Sequence, residues 1–354
     1  MSSLLLLAAH AWSRSAAAGT AHRVKLGANN AATAGYHRIL VYWIFLFLEI
    51  CAATIFVGAA VAGLRRGRLP FLELISAAVY GLLLEEGSQL IFETYRYSPH
   101  WTLVLDRAPL VIALTWALII AGAMRITDAL GVRRWTASFV DAAIVIMLDL
   151  AFDAVAIRMG MWTWVDIGPS DGWFGVQPGN FYTWLFVTFG FSVLTRSLRD
   201  QATRRRAAEW LQLLVPIPAF VILIASIVPY ALVSAWTHAP TGGPLWLSAV
   251  AIGLFALVAW HGVFGARRQP PDRPLVAIVD LRLAFFTRLS MQAFFLGALI
   301  VMGLATRLPV LLLVSVGLLV LEIPLVRLVN ARLAEATRTD QSGVHGGTRA
   351  RDAA

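Results

Sequence analysis

An all-α, polytopic membrane bundle of about eight to nine transmembrane helices is the fold this sequence predicts. Two observations carry that expectation. Of the 354 residues, 59% are hydrophobic and only 14% are charged, against about 25% charged in soluble domains. Apolar runs long enough to cross a ~30 Å hydrocarbon core recur along the chain, at 39–63, 70–92, 108–124, 137–158, 180–195, 209–233, 244–265, 284–304 and 308–330. Backbone groups in lipid must be satisfied within a helix or a closed barrel, and the strict alternation of a membrane barrel is absent.

Residues 1–36 read as a poorly ordered leader or interfacial segment. "LLLLAAHAW" near its start is apolar but lacks the preceding positive charge of a secretion signal. Residues 37–206 then hold helices 1–5 and the candidate site. Residues 207–336 hold helices 6–9, read as mainly structural, and 337–354 form a polar, disordered tail. The net charge of +9 resides largely in "RRGR" (65–68), "GVRRW" (131–135), "TRSLRDQATRRR" (195–206) and "GARRQPPDR" (265–273). These follow spans 1, 3, 5 and 7, so all lie on one face, and the positive-inside rule makes it cytoplasmic. The carboxyl terminus is then cytoplasmic, in what would be a bacterial cytoplasmic membrane. This distribution argues against nucleic acid as a partner. The oligomeric state is not encoded in any feature of the sequence.

Polar groups concentrate in spans 2 and 4 and in the loops after them. Asp149 and Asp153 in "LDLAFDAVAIRMGMWTW" (148–164) are one helical turn apart inside an apolar span. A carboxylate in hydrocarbon costs several kcal/mol unless paired, protonated or facing a wet cavity. The bland account is a pair of inter-helix hydrogen bonds; the functional one is a carboxyl pair that keeps a proton, since two anions in a dry site resist joint ionisation. Arg158 points away from Asp153 on an ideal helix and is a poor partner. Glu86, Gln89 and Glu93 fall at i, i+3 and i+7, a stripe from which Glu85 turns away. Tyr95, Tyr97, Trp101, Trp162, Trp164 and Trp173 are either an interfacial belt or the wall of a pocket. Asn180 in "GVQPGN" caps span 5 or points its amide into the site, and Asp106 reads as a helix-start residue before Pro109.

Several chemistries find no support. One cysteine, Cys51, precludes an intrachain disulfide or a cysteine metal site, and seven scattered histidines lack the clusters of a membrane di-iron oxygenase. No Walker loop, dinucleotide fingerprint or serine elbow occurs. "EEGSQLIFETYR" begins like the paired glutamates of intramembrane CAAX-type proteases without their later spacing. "DLAFD" resembles one aspartate motif of membrane prenyltransferases, which need a second such motif for Mg²⁺ and diphosphate.

"FETYRYSPHWTLVLDRAPLVIALTW" (92–116) and "LDLAFDAVAIRMGMWTWVDIGPSDGWFGVQPGNFYTWL" (148–185) resemble the integral-membrane carotenoid biosynthesis protein family. That family includes carotenoid 1,2-hydratases of the bisanhydrobacterioruberin and γ-carotene types. Its motifs are matched by Phe92, Tyr95, Tyr97, Pro109, Trp116, Asp149, Asp153, Trp162, Trp164, Gly175, Val176, Asn180 and Trp184. Glu93 replaces a family glycine, Ala154 a proline after the second aspartate, Gln177-Pro178 shifts a proline, and Thr183 replaces a glycine. The resemblance covers roughly residues 70–200. It implies an enzyme (a hydro-lyase) that adds water to the terminal double bond of an acyclic carotenoid or related isoprenoid lipid, with no metal and no cofactor. Asp149 or Asp153 would be the acid, and Glu86 or Glu93 would hold the water. Tyr95, Tyr97, Trp116, Trp162, Trp164 and Asn180 would bind the end group. A prenyltransferase-like enzyme and a non-enzymatic proton-coupled transporter or lipid-binding protein stay open as alternatives.

Overall fold

The computed structural model describes residues 28–202, 206–267 and 278–351. Every apolar run of the sequence but the sixth falls essentially within one long helix. The first eight long helices are α1 (Ala28–Arg66), α2 (Arg68–Phe92), α3 (Leu110–Ala129), α4 (Arg134–Ala156), α5 (Pro178–Ala202), α6 (Pro216–Trp236), α7 (Leu245–Arg267) and α8 (Ile278–Val301). A four-residue α9 (Leu304–Arg307) then leads into α10 (Pro309–Arg351). The sixth run, 209–233, is not one helix. Residues Arg206–Leu214 form a 3-10 helix, and α6 starts afresh at Pro216, because proline suits the first turn of a helix and not its interior.

Among the described residues six helices are long and apolar enough to cross a membrane: α1, α3, α6, α7, α8 and α10. The other three long helices, α2, α4 and α5, carry Glu73, Asp141, Arg196 and Arg199, all members of interior ion pairs. Of the segment expected to be a leader, residues 28–36 form the start of α1 and 1–27 lie outside the described residues. Residues 337–351, expected as tail, continue α10, and 352–354 lie outside.

Burial follows the order expected of an apolar bundle with a polar interior. α4 is buried around most of its circumference and packs against α3, α5, α7, α8 and α10; a helix apolar all round belongs at the centre. α2 packs closely on α3 because of Gly81, where a Cβ would lie 2.8 Å from both the Ala113 carbonyl oxygen and the Trp116 Cβ. Small residues are what let two helix backbones approach this closely in membrane bundles.

At the arginine-rich end, α2 to α5 are joined by ion pairs. Arg196 bonds Asp128 and, at 2.9 Å, Asp141; Ser192 also donates to Asp141 at 2.5 Å. Arg199 bonds Glu73 at 2.5 Å and Asp128 at 2.8 Å, and Arg125 reaches Glu73 at 2.9 Å. Arg196 and Arg199, read from the sequence as loop charges, are therefore interior groups of α5. They could not have been left unpaired there, since an ion in this setting needs its counter-ion.

Removing one partner from a buried pair costs about 3–5 kcal/mol, because the other charge is stranded. Arg196→Ala is therefore expected to lower the thermal unfolding midpoint of the detergent-solubilised protein sharply. Truncating Glu335, whose side chain is 54% exposed in its pair with Arg332, should cost about 1 kcal/mol or less.

Candidate active site

The opposite end of α2 to α5 carries a different set of polar groups, capped by two short antiparallel strand pairs, the second a hairpin. The alternation Tyr-Arg-Tyr at 95–97 and Trp-Thr-Trp at 162–164 is a period of two, which places the four aromatic rings on one face of a strand pair. The segments do form an antiparallel ribbon, β1 (Tyr95–Tyr97) with β4 (Trp162–Trp164), pairing Tyr95 with Trp164 and Tyr97 with Trp162. The rings of these pairs meet edge to face at 5.2 and 6.2 Å, a preferred aromatic geometry. The second hairpin, β2 (Val104–Leu105) with β3 (Ala108–Pro109), turns at Asp106 and Arg107. Asp106, expected to start a helix, is instead an exposed turn residue with φ 49°, and α3 begins only after Pro109.

Two carboxylates hold that second hairpin by its backbone. Glu49 of α1 accepts from the Thr102 N–H at 2.7 Å and the Leu103 N–H at 3.2 Å. Glu86 accepts from the Ala108 N–H at 2.7 Å and the Arg107 N–H at 3.1 Å, while Gln89 donates to the Arg107 carbonyl. The Glu86–Gln89 stripe thus faces a loop backbone, outside the cavity lining. Glu93 is likewise elsewhere: it is exposed and ends α2 in the left-handed conformation, φ 48° and ψ 30°.

The neighbouring Glu85, set aside in the sequence, occupies the place expected for those two. Its Oε2 accepts from Tyr95 Oη at 2.5 Å and Tyr97 Oη at 2.6 Å, and its Oε1 accepts from Trp116 Nε1 at 2.6 Å. The signal that could have found it is the i, i+4 row Glu73, Ala77, Gly81, Glu85 and Gln89, all buried. Glu85 follows Gly81 by one turn, on the face that α3 approaches. Burial, and then the charge of Glu85, push both phenols well above the ordinary tyrosine range.

Facing them are Asp149 and Asp153 of α4, 0% and 2% exposed. The Asn180 amide bridges the pair, donating to Asp153 Oδ2 at 2.7 Å and Asp149 Oδ2 at 3.1 Å. The two carboxyls thus share one amide donor, and Asp149 Oδ1 is buried with no hydrogen-bond partner among the described residues. Asn180 reaches them from the first turn of α5, which opens with Pro178. Arg158 is directed elsewhere, to the carbonyl oxygens of Ala154, Phe174 and Pro169, and fastens the loop after β4.

These groups line a cavity of ≈ 980 Å³, at the upper end of the range for small-molecule sites. Glu85, Tyr95, Tyr97, Trp116, Asp153, Trp162, Trp164 and Asn180 all face it; Asp149 stands behind Asp153. Its far walls come from α1, α6 and α8, so the part expected to be structural also contributes. Phe47 and Ile50 of α1 and Phe286 of α8 belong both to the lining and to the exposed apolar surface, so the cavity opens sideways through the bundle wall. Among the described residues no group of three or more His, Cys, Asp or Glu is disposed to hold a metal ion.

Glu93 stands in a conformation that costs an L-residue about 1–2 kcal/mol and glycine little. Glu93→Gly is expected to stabilise the fold by a net of up to about 1 kcal/mol, after the extra unfolded-state entropy of glycine, and so to raise the thermal midpoint. A lowered midpoint would mean that the exposed side chain makes a stabilising contact.

No individual curated protein and no solved structure matches the chain. A family model described as carotenoid biosynthesis protein matches residues 40–247, more than half of the sequence. That span contains α2 to α5, both strand pairs, the carboxyl pair and Glu85, and its family implies an isoprenoid lipid as substrate. The chain belongs to the carotenoid biosynthesis protein family.

Proposed function

We propose that this protein is a membrane enzyme that hydrates the terminal 1,2 double bond of an acyclic carotenoid. The observation that carries this reading is the Asp149–Asp153 pair, buried, bridged by Asn180 and exposed through Asp153 to an aromatic cavity open to the apolar surface. A terminal isopropylidene group has no polar handle, so its hydration must start with protonation of the alkene. The proton goes from the carboxyl of Asp153 to C2, the less substituted carbon, and the π electrons form the new C–H bond. The tertiary cation at C1 lies among the faces of Tyr95, Tyr97, Trp162 and Trp164, whose ring quadrupoles attract positive charge. Water then bonds to C1 and loses a proton, giving the tertiary alcohol.

Asp149 is the positioning partner. The Asn180 amide it shares with Asp153 fixes the orientation of the acid. The sideways opening supports a long apolar substrate entering from lipid with one end at the carboxyls. The ion-paired layer at the far end of the same helices supports a site closed there, and so favours an enzyme over a conducting path.

Expression in a lycopene-producing bacterium, followed by mass analysis of the pigments, tests the reading. The wild type is expected to add one or two waters per pigment molecule. Asp153→Asn should reduce that by about 10²–10⁴, the usual contribution of a general acid. Unchanged pigments with well-expressed wild-type protein, across several acyclic carotenoids, would overturn it.

A further inference from the structure

Tyr95 and Tyr97, backed by Glu85, are inferred by us to be the proton-accepting side of the site, taking the proton that the attacking water loses. This rests on the hydration reading above and assigns the half of the reaction that the aspartate pair leaves open. Once Asp153 has given its proton to C2, a base must accept a proton as water bonds to C1, and the phenols on Glu85 give the cavity a proton-accepting group apart from the aspartates. Glu86 and Glu93, the sequence candidates for handling water, do not line the cavity.

The geometry selects the phenols over Glu85 as the groups that touch water. Glu85 is already engaged on both oxygens, by Trp116 on Oε1 and by the two tyrosines on Oε2. Each phenol spends its O–H on Glu85 and keeps lone pairs on an oxygen whose side chain lines the cavity together with Asp153. Such an oxygen can accept from water while its own proton is already aimed at a carboxylate. Both phenolic O–H groups converge on the same Glu85 oxygen, at 2.5 and 2.6 Å. Trp116 anchors the other carboxylate oxygen, so Glu85 acts as the positioning residue and final proton acceptor.

The step balances without any further reactant. Asp153 supplies H⁺ to C2 and the π bond is consumed. Water forms the C1–O bond, and one water proton passes to a phenol oxygen as that phenol's proton moves to Glu85 Oε2. The product has gained H₂O, Asp153 is a carboxylate and Glu85 is a carboxylic acid. Return of the Glu85 proton to Asp153 through the phenol and a water in the emptied cavity resets the site.

The test follows the fate of the cation. Detergent-solubilised protein is incubated with an acyclic carotenoid such as lycopene in D₂O, and mass spectrometry reads two quantities. One is hydrated product; the other is recovered substrate carrying deuterium at C2, formed when the cation returns a proton to Asp153 before water captures it. In Glu85→Gln the product-to-exchange ratio is expected to fall by about 10², the scale of general-base catalysis, with carotenoid still co-purifying. Tyr97→Phe and Tyr95→Phe, which remove one oxygen each, should lower the same ratio and serve if Glu85→Gln does not accumulate. Equal losses of product and exchange in the glutamate and tyrosine variants, with the ratio unchanged, would show a structural role and overturn the inference. Wild-type protein that gives neither product nor exchange with several acyclic carotenoids would instead defeat the hydration reading, and the inference with it.

Discussion

The pairing of charges inside an apolar bundle is the constraint on which the rest of this structure depends. Glu73, Asp128, Asp141, Arg196 and Arg199 sit where an unmatched ion would cost more than most single interactions return. Their mutual bonds fix α2, α3, α4 and α5 against one another at one end. From that layer, one buried i, i+4 row runs along each helix to the site. On α4 it is Asp141, Val145, Asp149 and Asp153; on α5 it is Arg196, Ser192, Thr188 and Trp184; on α2 it is Glu73, Ala77, Gly81 and Glu85. On α3 it runs from the part-buried Asp128 through the buried Met124 and Ile120 to Trp116. Such rows are the ridges by which crossing helices pack. In every case the clamp residue and the site residue are 12 positions apart, about 18 Å at 1.5 Å per residue. A register shift in any one helix would therefore disturb both layers together.

This two-layer arrangement explains why polar groups in the site point inward without a charged partner. Arginines occupy the clamp layer, and hydrogen-bond donors of neutral character occupy the site layer: two phenols, an indole and an amide. A guanidinium beside Asp153 would hold it ionised and remove its use as an acid. Phenols and amides stabilise a carboxylate while leaving the site without a fixed positive charge, and a carbocation would be repelled by one. The same selection appears in the aromatic ribbon, whose rings offer electron-rich faces and no cation.

Much of this was readable from the residues, because lipid enforces simple rules. The helical runs and the aspartate pair follow from length and polarity alone. Tyr95, Tyr97, Trp116, Trp162, Trp164 and Asn180 were all named from the sequence, and the structure brings all six to one cavity. Glu85 was missed because the stripe Glu86, Gln89 and Glu93 is also a genuine helix face; it binds the backbone of the 102–108 hairpin. Two acidic faces one residue apart look alike until the partner helix is known, and only the small residues Ala77 and Gly81 mark which one meets α3. The strand pair of 95–97 and 162–164 escaped for a related reason. Its partners are over 60 residues apart, and three-residue alternation is too short to stand out beside an interfacial belt. The arginines of 195–206 looked like loop charge because their counter-ions lie on three other helices.

The positions where this chain departs from its family sort by what the backbone does there. Glu93, in place of glycine, occupies a left-handed helix end where only the backbone conformation matters. Ala154, in place of proline, lies within α4, where proline would take away the N–H that continues the helix; the Leu150 carbonyl one turn earlier also accepts from Trp173 Nε1 at 3.0 Å. Neither change touches a group proposed to handle protons. Gln177 and Thr183 are different, because both line the cavity. Thr183 donates to the Asn180 carbonyl at 2.7 Å, and where glycine would leave space it adds a branched side chain beside the amide that orients the aspartates. The residues proposed to carry the chemistry are thus those that match the family motifs read in the sequence, and two of the departures, Gln177 and Thr183, lie in the cavity wall beside them.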